Sequence, residues 1–249
     1  MRRAITSFAI ILFVLLGGRP LAADGGTTST PRKDAAVHQK PPAELLEHAI
    51  RSFFEPPNSC KVEIRSGSAS DTLQGRFSSL RLRVDKTIVK GMPIEAATID
   101  LKQFAIDLPL LRNSGKIRVF SADRLTYRIT VTEVGLNWLI SGKKKLAKDH
   151  PPKLELGDGE VILDGHLRAG LFNSPFRLKG SLAARREREV HFIPDYVSVG
   201  WLPLPGFLMD MVAGRINPIA TLEKLLELQR CNVKIREVVV SPGMMVVTG

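Results

Sequence analysis

Five histidines, two cysteines and scattered serines are the residues of this 249-residue chain whose types allow base, nucleophile or metal-ligand chemistry. Such chemistry needs convergent spacing, and the chain has no G-x-S-x-G elbow, no H-E-x-x-H, no G-x-x-x-x-G-K-[ST] phosphate loop and no G-x-G-x-x-G. His38 falls in a polar stretch, His48 on the polar side of an amphipathic segment and His150 beside Pro151-Pro152, all solvated settings. His166 and His191 have Asp164 and Asp195 nearby in sequence, so a hydrolase site assembled from distant Ser, His and Asp residues stays open. Surface strand histidines are the plainer reading. Ser66-Gly67-Ser68-Ala69-Ser70 reads as a turn between strands, and the acids are spread singly. We therefore assign no catalytic residue, metal or cofactor, and expect a protein that is not an enzyme.

Cys60 and Cys231 are 171 positions apart, which excludes a compact zinc ribbon or a C-x-x-C motif. Each opens an alternating segment, Cys60-Lys61-Val62-Glu63-Ile64 and Cys231-Asn232-Val233-Lys234-Ile235. If these strands are neighbours, a disulfide forms where the Cα atoms come within about 7 Å. Two separate buried thiols are the alternative. Peptide maps with and without reductant decide it, since a bridge gives a linked Cys60–Cys231 peptide that reduction abolishes.

The elements around these residues follow from composition and period. Residues 1–23 read as a signal peptide: Met1-Arg2-Arg3, an apolar run from Phe8 to Leu16, then Leu21-Ala22-Ala23. Residues 24–42 have linker composition, and 43–249 read as one domain led by an amphipathic helix with Leu45, Leu46, Ala49, Ile50 and Phe53 on one stripe. Period-two alternation then dominates, through Leu80, Leu82 and Val84, Ile99 and Leu101, Phe104, Ile106 and Leu108, and Leu125 to Val131. It returns at Val161 and Leu163, Phe176, Leu178 and Leu182, Val197 and Val199, and Val233 and Ile235. About ten strands with one dry and one wet face fit antiparallel sheet. Helices are expected at Thr132 to Lys148, Gly206 to Ile216 and Ala220 to Arg230. With no strict βαβ alternation the fold class is α+β, a long twisted antiparallel sheet wrapped on a few helices.

The 36 basic and 25 acidic residues give a net charge of +11. Removing the first 23 residues leaves 33 cations against 25 acids, a surplus of +8. Aromatic residues make up only 6% of the chain and mostly sit on apolar strand positions, so stacking platforms for nucleic acid are lacking. The charge suits anionic headgroups at a membrane surface better. Lys143-Lys144-Lys145 and Arg185-Arg186-Glu187-Arg188 are the candidate clusters, with solvated turns as the plain alternative. Trp201-Leu202-Pro203-Leu204-Pro205-Gly206-Phe207-Leu208-Met209-Asp210-Met211-Val212 carries one charge in twelve residues and is soft and apolar. A helix capping the sheet is the plain alternative there.

Phe77-Ser78-Ser79-Leu80-Arg81-Leu82-Arg83-Val84, Gly91-Met92-Pro93-Ile94-Glu95-Ala96-Ala97-Thr98-Ile99-Asp100-Leu101, Phe104 to Leu108, Val131-Thr132-Glu133 with Leu136-Asn137, Leu202 to Pro205 and Asn217-Pro218-Ile219 together resemble the LmeA-like phospholipid-binding family, formerly a domain of unknown function. The resemblance implies an exported cell-envelope protein of elongated, tubular lipid-binding architecture that binds phospholipid in an apolar groove, without a cofactor. Our own choice of residues places acyl chains against Trp138, Leu139, Ile140, Phe207, Leu208 and Met211, and anionic headgroups against Lys143, Lys144 and Lys145. The expected location is periplasmic or otherwise extracytoplasmic. A structural or scaffolding envelope protein that docks polysaccharide or protein partners, without a lipid cavity, is the competing reading.

Overall fold

The computed structural model describes residues 40–56, 59–89, 92–141, 152–169, 172–206, 209, 217, 220–221 and 234–249. Among them four helices have defined bounds: α1 Pro42–Arg51, α2 Ala69–Leu73, α3 Leu108–Ser114 and α4 Glu133–Ser141. Twelve strands do: β1 Cys60–Ser66, β2 Arg76–Val89, β3 Met92–Ile106, β4 Val119–Thr132, β5 Lys153–Leu156, β6 Val161–Ala169, β7 Phe172–Arg185, β8 Glu189–Val199, β9 Leu202–Pro203, β10 Ala220–Thr221, β11 Glu237–Ser241 and β12 Met244–Thr248. None of these helices is long and apolar enough to cross a membrane.

Every ladder is antiparallel, but the strands form two six-stranded sheets instead of the single long sheet expected. The first has the order β1-β2-β3-β4-β12-β11; the second runs β10-β8-β7-β6-β5, with β9 on β8. The division has a direct cause. The free edge of β4 is taken by β12, with Val131 opposite Met245 and Ile129 opposite Val247, so β5 starts a new ladder with β6. The C-terminal hairpin ties the two sheets together: Gly243 N–H donates to Leu156 O at 3.1 Å and Gly159 N–H to Val240 O at 3.0 Å. Buried side chains from both sheets form one contiguous core.

In the first sheet, alternation sets the faces. The rows Ile64–Leu80–Leu101–Leu125 and Val62–Leu82–Ile99–Tyr127 point inward. Left-handed backbone at Lys86 (φ 44) and Gln103 (φ 45) resets the period, so two consecutive residues face water before Thr87 and Phe104 turn in. α1 buries Leu45, Leu46, Ala49 and Ile50 beside β1 and α3, as its stripe predicts. Arg51, paired with Glu47, donates to Cys60 O at 2.7 Å and locks the helix to the first strand.

Four local expectations are corrected by capping and register. Ser66 to Ser70 is not all turn: Ser68 caps α2, accepting from Asp71 N–H at 3.1 Å while Asp71 accepts from Ser68 N–H. The strand read through Leu108 stops at Ile106, because the Asp107 carboxylate accepts Leu110 N–H at 2.9 Å and Pro109 favours a helix start. Ala220–Thr221 is a strand on Val190 and Glu189, not a helix start. Residues 234–236 lie outside the sheet, where Ile235 N–H donates to Glu187 O at 2.6 Å, so the last hairpin begins at Glu237. The remainder of the two later helices falls outside the described residues, as does the end of the first beyond Ser141.

α4 closes the edge of the second sheet with side chains in place of a strand. Gly135 allows the close approach, since a Cβ there would lie 2.7 Å from Pro93 O. Glu133 accepts Leu156 N–H at 2.9 Å, and the Asn137 amide both accepts from Leu154 N–H and donates to Leu154 O at 2.7 Å. Asn217 repeats the device on Phe192, with both bonds at 2.7 Å. Asn137→Ala leaves both β5 groups without that partner, and we expect a loss of about 1–3 kcal/mol in urea unfolding, against a smaller loss for Asn137→Asp, which retains an acceptor for Leu154 N–H.

Candidate functional site

The apolar faces of the two sheets are filled differently. In the first, Leu82, Val84, Ile99, Leu101, Ile129 and Val131 on β2 to β4 are buried, and only Val62 and Ile64 on the edge strand β1 are half-buried among the inward rows given above. In the second, the corresponding rows run Leu154–Leu163–Leu178–Val197 and Gly165–Phe176–Val199–Leu202; Leu178 and Val197 are buried, but Leu154, Leu163, Phe176, Leu182 and Val199 are only half-buried. A half-covered apolar face on a continuous strand platform is the kind of surface that receives an apolar ligand.

Two glycines shape this platform. A Cβ at Gly165 would lie 2.6 Å from the Phe176 ring, and one at Gly180 would lie 2.8 Å from the Phe192 ring and would run into Ile193 O. Each ring therefore lies down over a glycine on the neighbouring strand instead of standing up from the sheet. The edges of the face are set by two segments. α4 borders β5 through Asn137, with Leu136 packed against the core. On the far side the chain turns at Gly200 (φ 63), Leu204 N–H donates to Val197 O at 2.8 Å, and Leu204 and Met209 pack against the core. The tip of that turn leaves Trp201 90% exposed.

Of the acyl-contact residues named from sequence, Trp138 stands on α4 and is 46% exposed. Leu139 and Ile140 lie in the same helix, with side chains outside the described residues. Phe207, Leu208, Met211, Lys143, Lys144, Lys145 and Cys231 also lie outside them. Cys60 is buried at the start of β1, opposite Val84, and burial raises its thiol above the ordinary range. β1 and β11, the strand that follows Cys231 in sequence, occupy opposite edges of the first sheet, so these two strands are not neighbours.

The sequence reading used Leu163, Phe176, Leu178, Leu182 and Val199 as strand markers only. Their part in a half-covered face was missed because it depends on the register that sets Gly165 opposite Phe176, which no single strand reveals.

Among the described residues, the two histidines of the second sheet lie far apart. The register sets His166 opposite Pro175 and His191 opposite Ala183, eight residues apart along β7, or about 26 Å of strand. His191 pairs with Glu189 at 2.8 Å, not with Asp164 or Asp195. Asp164 accepts two bonds from Arg177, at 2.7 and 2.8 Å, and these hold its carboxyl below the ordinary range. Among the described residues no group of three or more His, Cys, Asp and Glu is placed to hold a metal.

A family model described as LmeA-like phospholipid-binding matches residues 44–249. Comparison with curated proteins and with solved structures gave no match.

The flattened platform is testable. Gly180→Ala drives a methyl group into the Ile193 carbonyl and the Phe192 ring, so we expect about 1–3 kcal/mol of destabilisation in thermal or urea unfolding. Gly159→Ala, whose φ is positive (71) and whose Cβ would meet nothing within 4 Å, measures backbone strain without steric overlap and so gives the comparison for Gly180, where the overlap acts alone.

Proposed function

The chain belongs to the LmeA-like phospholipid-binding family, and from that membership and the half-covered face we propose that it binds a phospholipid with its acyl chains laid along the apolar side of the second sheet. The observation that carries this reading is the contrast in burial between the two apolar faces. Trp138 on α4 and the segment from Leu204 onward, including Phe207, Leu208 and Met211, would border the chains on either side. Lys143, Lys144 and Lys145, which directly follow α4 in sequence, would meet an anionic headgroup. We place the protein outside the cytoplasmic membrane, on the charge and apolar pattern of residues 1–23, with the linker composition that follows leading up to α1 at Pro42. Binding, not turnover, is the activity proposed.

Mass spectrometry of organic extracts from the purified full chain is expected to show phospholipid at about one per protein. Leu163→Gln and Leu182→Gln put an amide into the apolar face and should reduce co-purified lipid about ten-fold or more, while circular dichroism stays sheet-like. Wild-type protein that extracts without lipid, or variants that retain it fully, would overturn the reading and favour a packed scaffold.

A further inference from the structure

The solvent face of the first sheet carries charges arranged in a way that folding alone does not favour. Over four adjacent strands, β1 to β4, three consecutive rows point outward: Lys61–Arg83–Thr98–Arg128, Glu63–Arg81–Asp100–Thr126 and Arg65–Ser79–Lys102–Arg124. Seven of these twelve positions are Lys or Arg and two are acids, a surplus of +5 on a field of roughly 14 by 14 Å. Lys61 sits directly opposite Arg83, and Lys102 directly opposite Arg124, although like charges in cross-strand pairs destabilise a sheet. Among the described residues, only Arg81 in this field has an ion-pair partner, Asp100 at 2.6 Å.

The second sheet shows the ordinary solution. On its outer face Arg177 is opposite Asp164 and bonded to it, Lys179 meets Glu160 at 3.0 Å and Lys153 meets Glu155 at 2.6 Å. The two sheets of one chain thus treat their wet faces differently: among the described residues, six of the seven cations in the first sheet's field have no ion-pair partner.

We propose that the outer face of β1 to β4 is a docking surface for an anionic lipid bilayer. The field is broad and flat, which matches a plane of headgroups, and its rows contain no aromatic platform of the kind that single-stranded nucleic acid uses. It lies on a different sheet from the apolar face described above and needs no bound lipid. The choice of a bilayer over a soluble polyanion rests on the extracytoplasmic lipid-binding reading.

Co-sedimentation of the full chain tests this, using vesicles of phosphatidylcholine alone and vesicles of phosphatidylcholine mixed with phosphatidylglycerol. The expected result is binding to the mixed vesicles alone, weakening as salt rises toward about 0.15 M and beyond. Arg83→Gln/Arg128→Gln and Lys102→Gln/Arg124→Gln should each lower partitioning about 25-fold, at about five-fold per cation. Lys153→Gln/Lys179→Gln on the other sheet should leave it unchanged. If a double variant misfolds, Thr98→Glu supplies a carboxylate within the field without removing any cation and should weaken binding as well. Equal binding to neutral vesicles, double variants that bind like wild type, or preference for a heparin competitor over the vesicles would overturn the proposal. Co-purified phospholipid measured on the same variants keeps this result separate from the acyl-chain reading, because the docking variants should retain it.

Discussion

A β-sheet with one apolar face has to lay that face against something, and the manner in which each sheet of this chain meets that requirement organises the rest of the molecule. The first sheet is served locally. α1 arrives just before β1 and α3 lies between β3 and β4, so the cover for Leu80 to Val131 is encoded next to the strands it protects. The second sheet has no such helices between β6, β7 and β8. Beyond the first sheet's β11, which lies against β7, its cover comes from its margins, α4 on one side and the chain after β9 on the other, and several of its apolar side chains stay half-buried.

The margins are held by hydrogen bonds more than by packing. Asn137 and Asn217 each present a carboxamide to a strand residue and satisfy its N–H and C=O together, which a peptide neighbour would otherwise do. Such a device ends a sheet edge without adding apolar volume, so the platform inside it stays low. Gly165 and Gly180 act toward the same end by letting Phe176 and Phe192 lie flat. On the wet sides the division repeats. The second sheet pairs Arg177, Lys179 and Lys153 with acids, whereas the first sets Lys61 opposite Arg83 and Lys102 opposite Arg124.

Much of this was legible in the sequence. Strict alternation gave the central strands, and the stripe of Leu45, Leu46, Ala49 and Ile50 gave the first helix. The Asp107-Leu108-Pro109 start of α3 was legible too but was overridden by the alternating run before it. What no local pattern carried was pairing. That β12 returns to the edge of β4, dividing one expected sheet into two, is a contact across more than a hundred residues. Ala220–Thr221 becomes strand through its ladder with β8, against the helical look of its neighbours. The candidate face was hidden for the same reason: Leu163 and Phe176 read as strand markers until register set Gly165 against Phe176. Lys61 and Arg83 likewise read as ordinary solvent positions until they were found opposite one another.

The measurement that bears most directly on the half-covered second sheet is photo-crosslinking with a phospholipid carrying a diazirine on its acyl chain, followed by peptide mapping. The account predicts labels on Leu163, Phe176, Leu182 and Val199, with none on the inward residues of β2 to β4. Labels confined to the first sheet, or labelling that excess unmodified phospholipid does not displace, would contradict it.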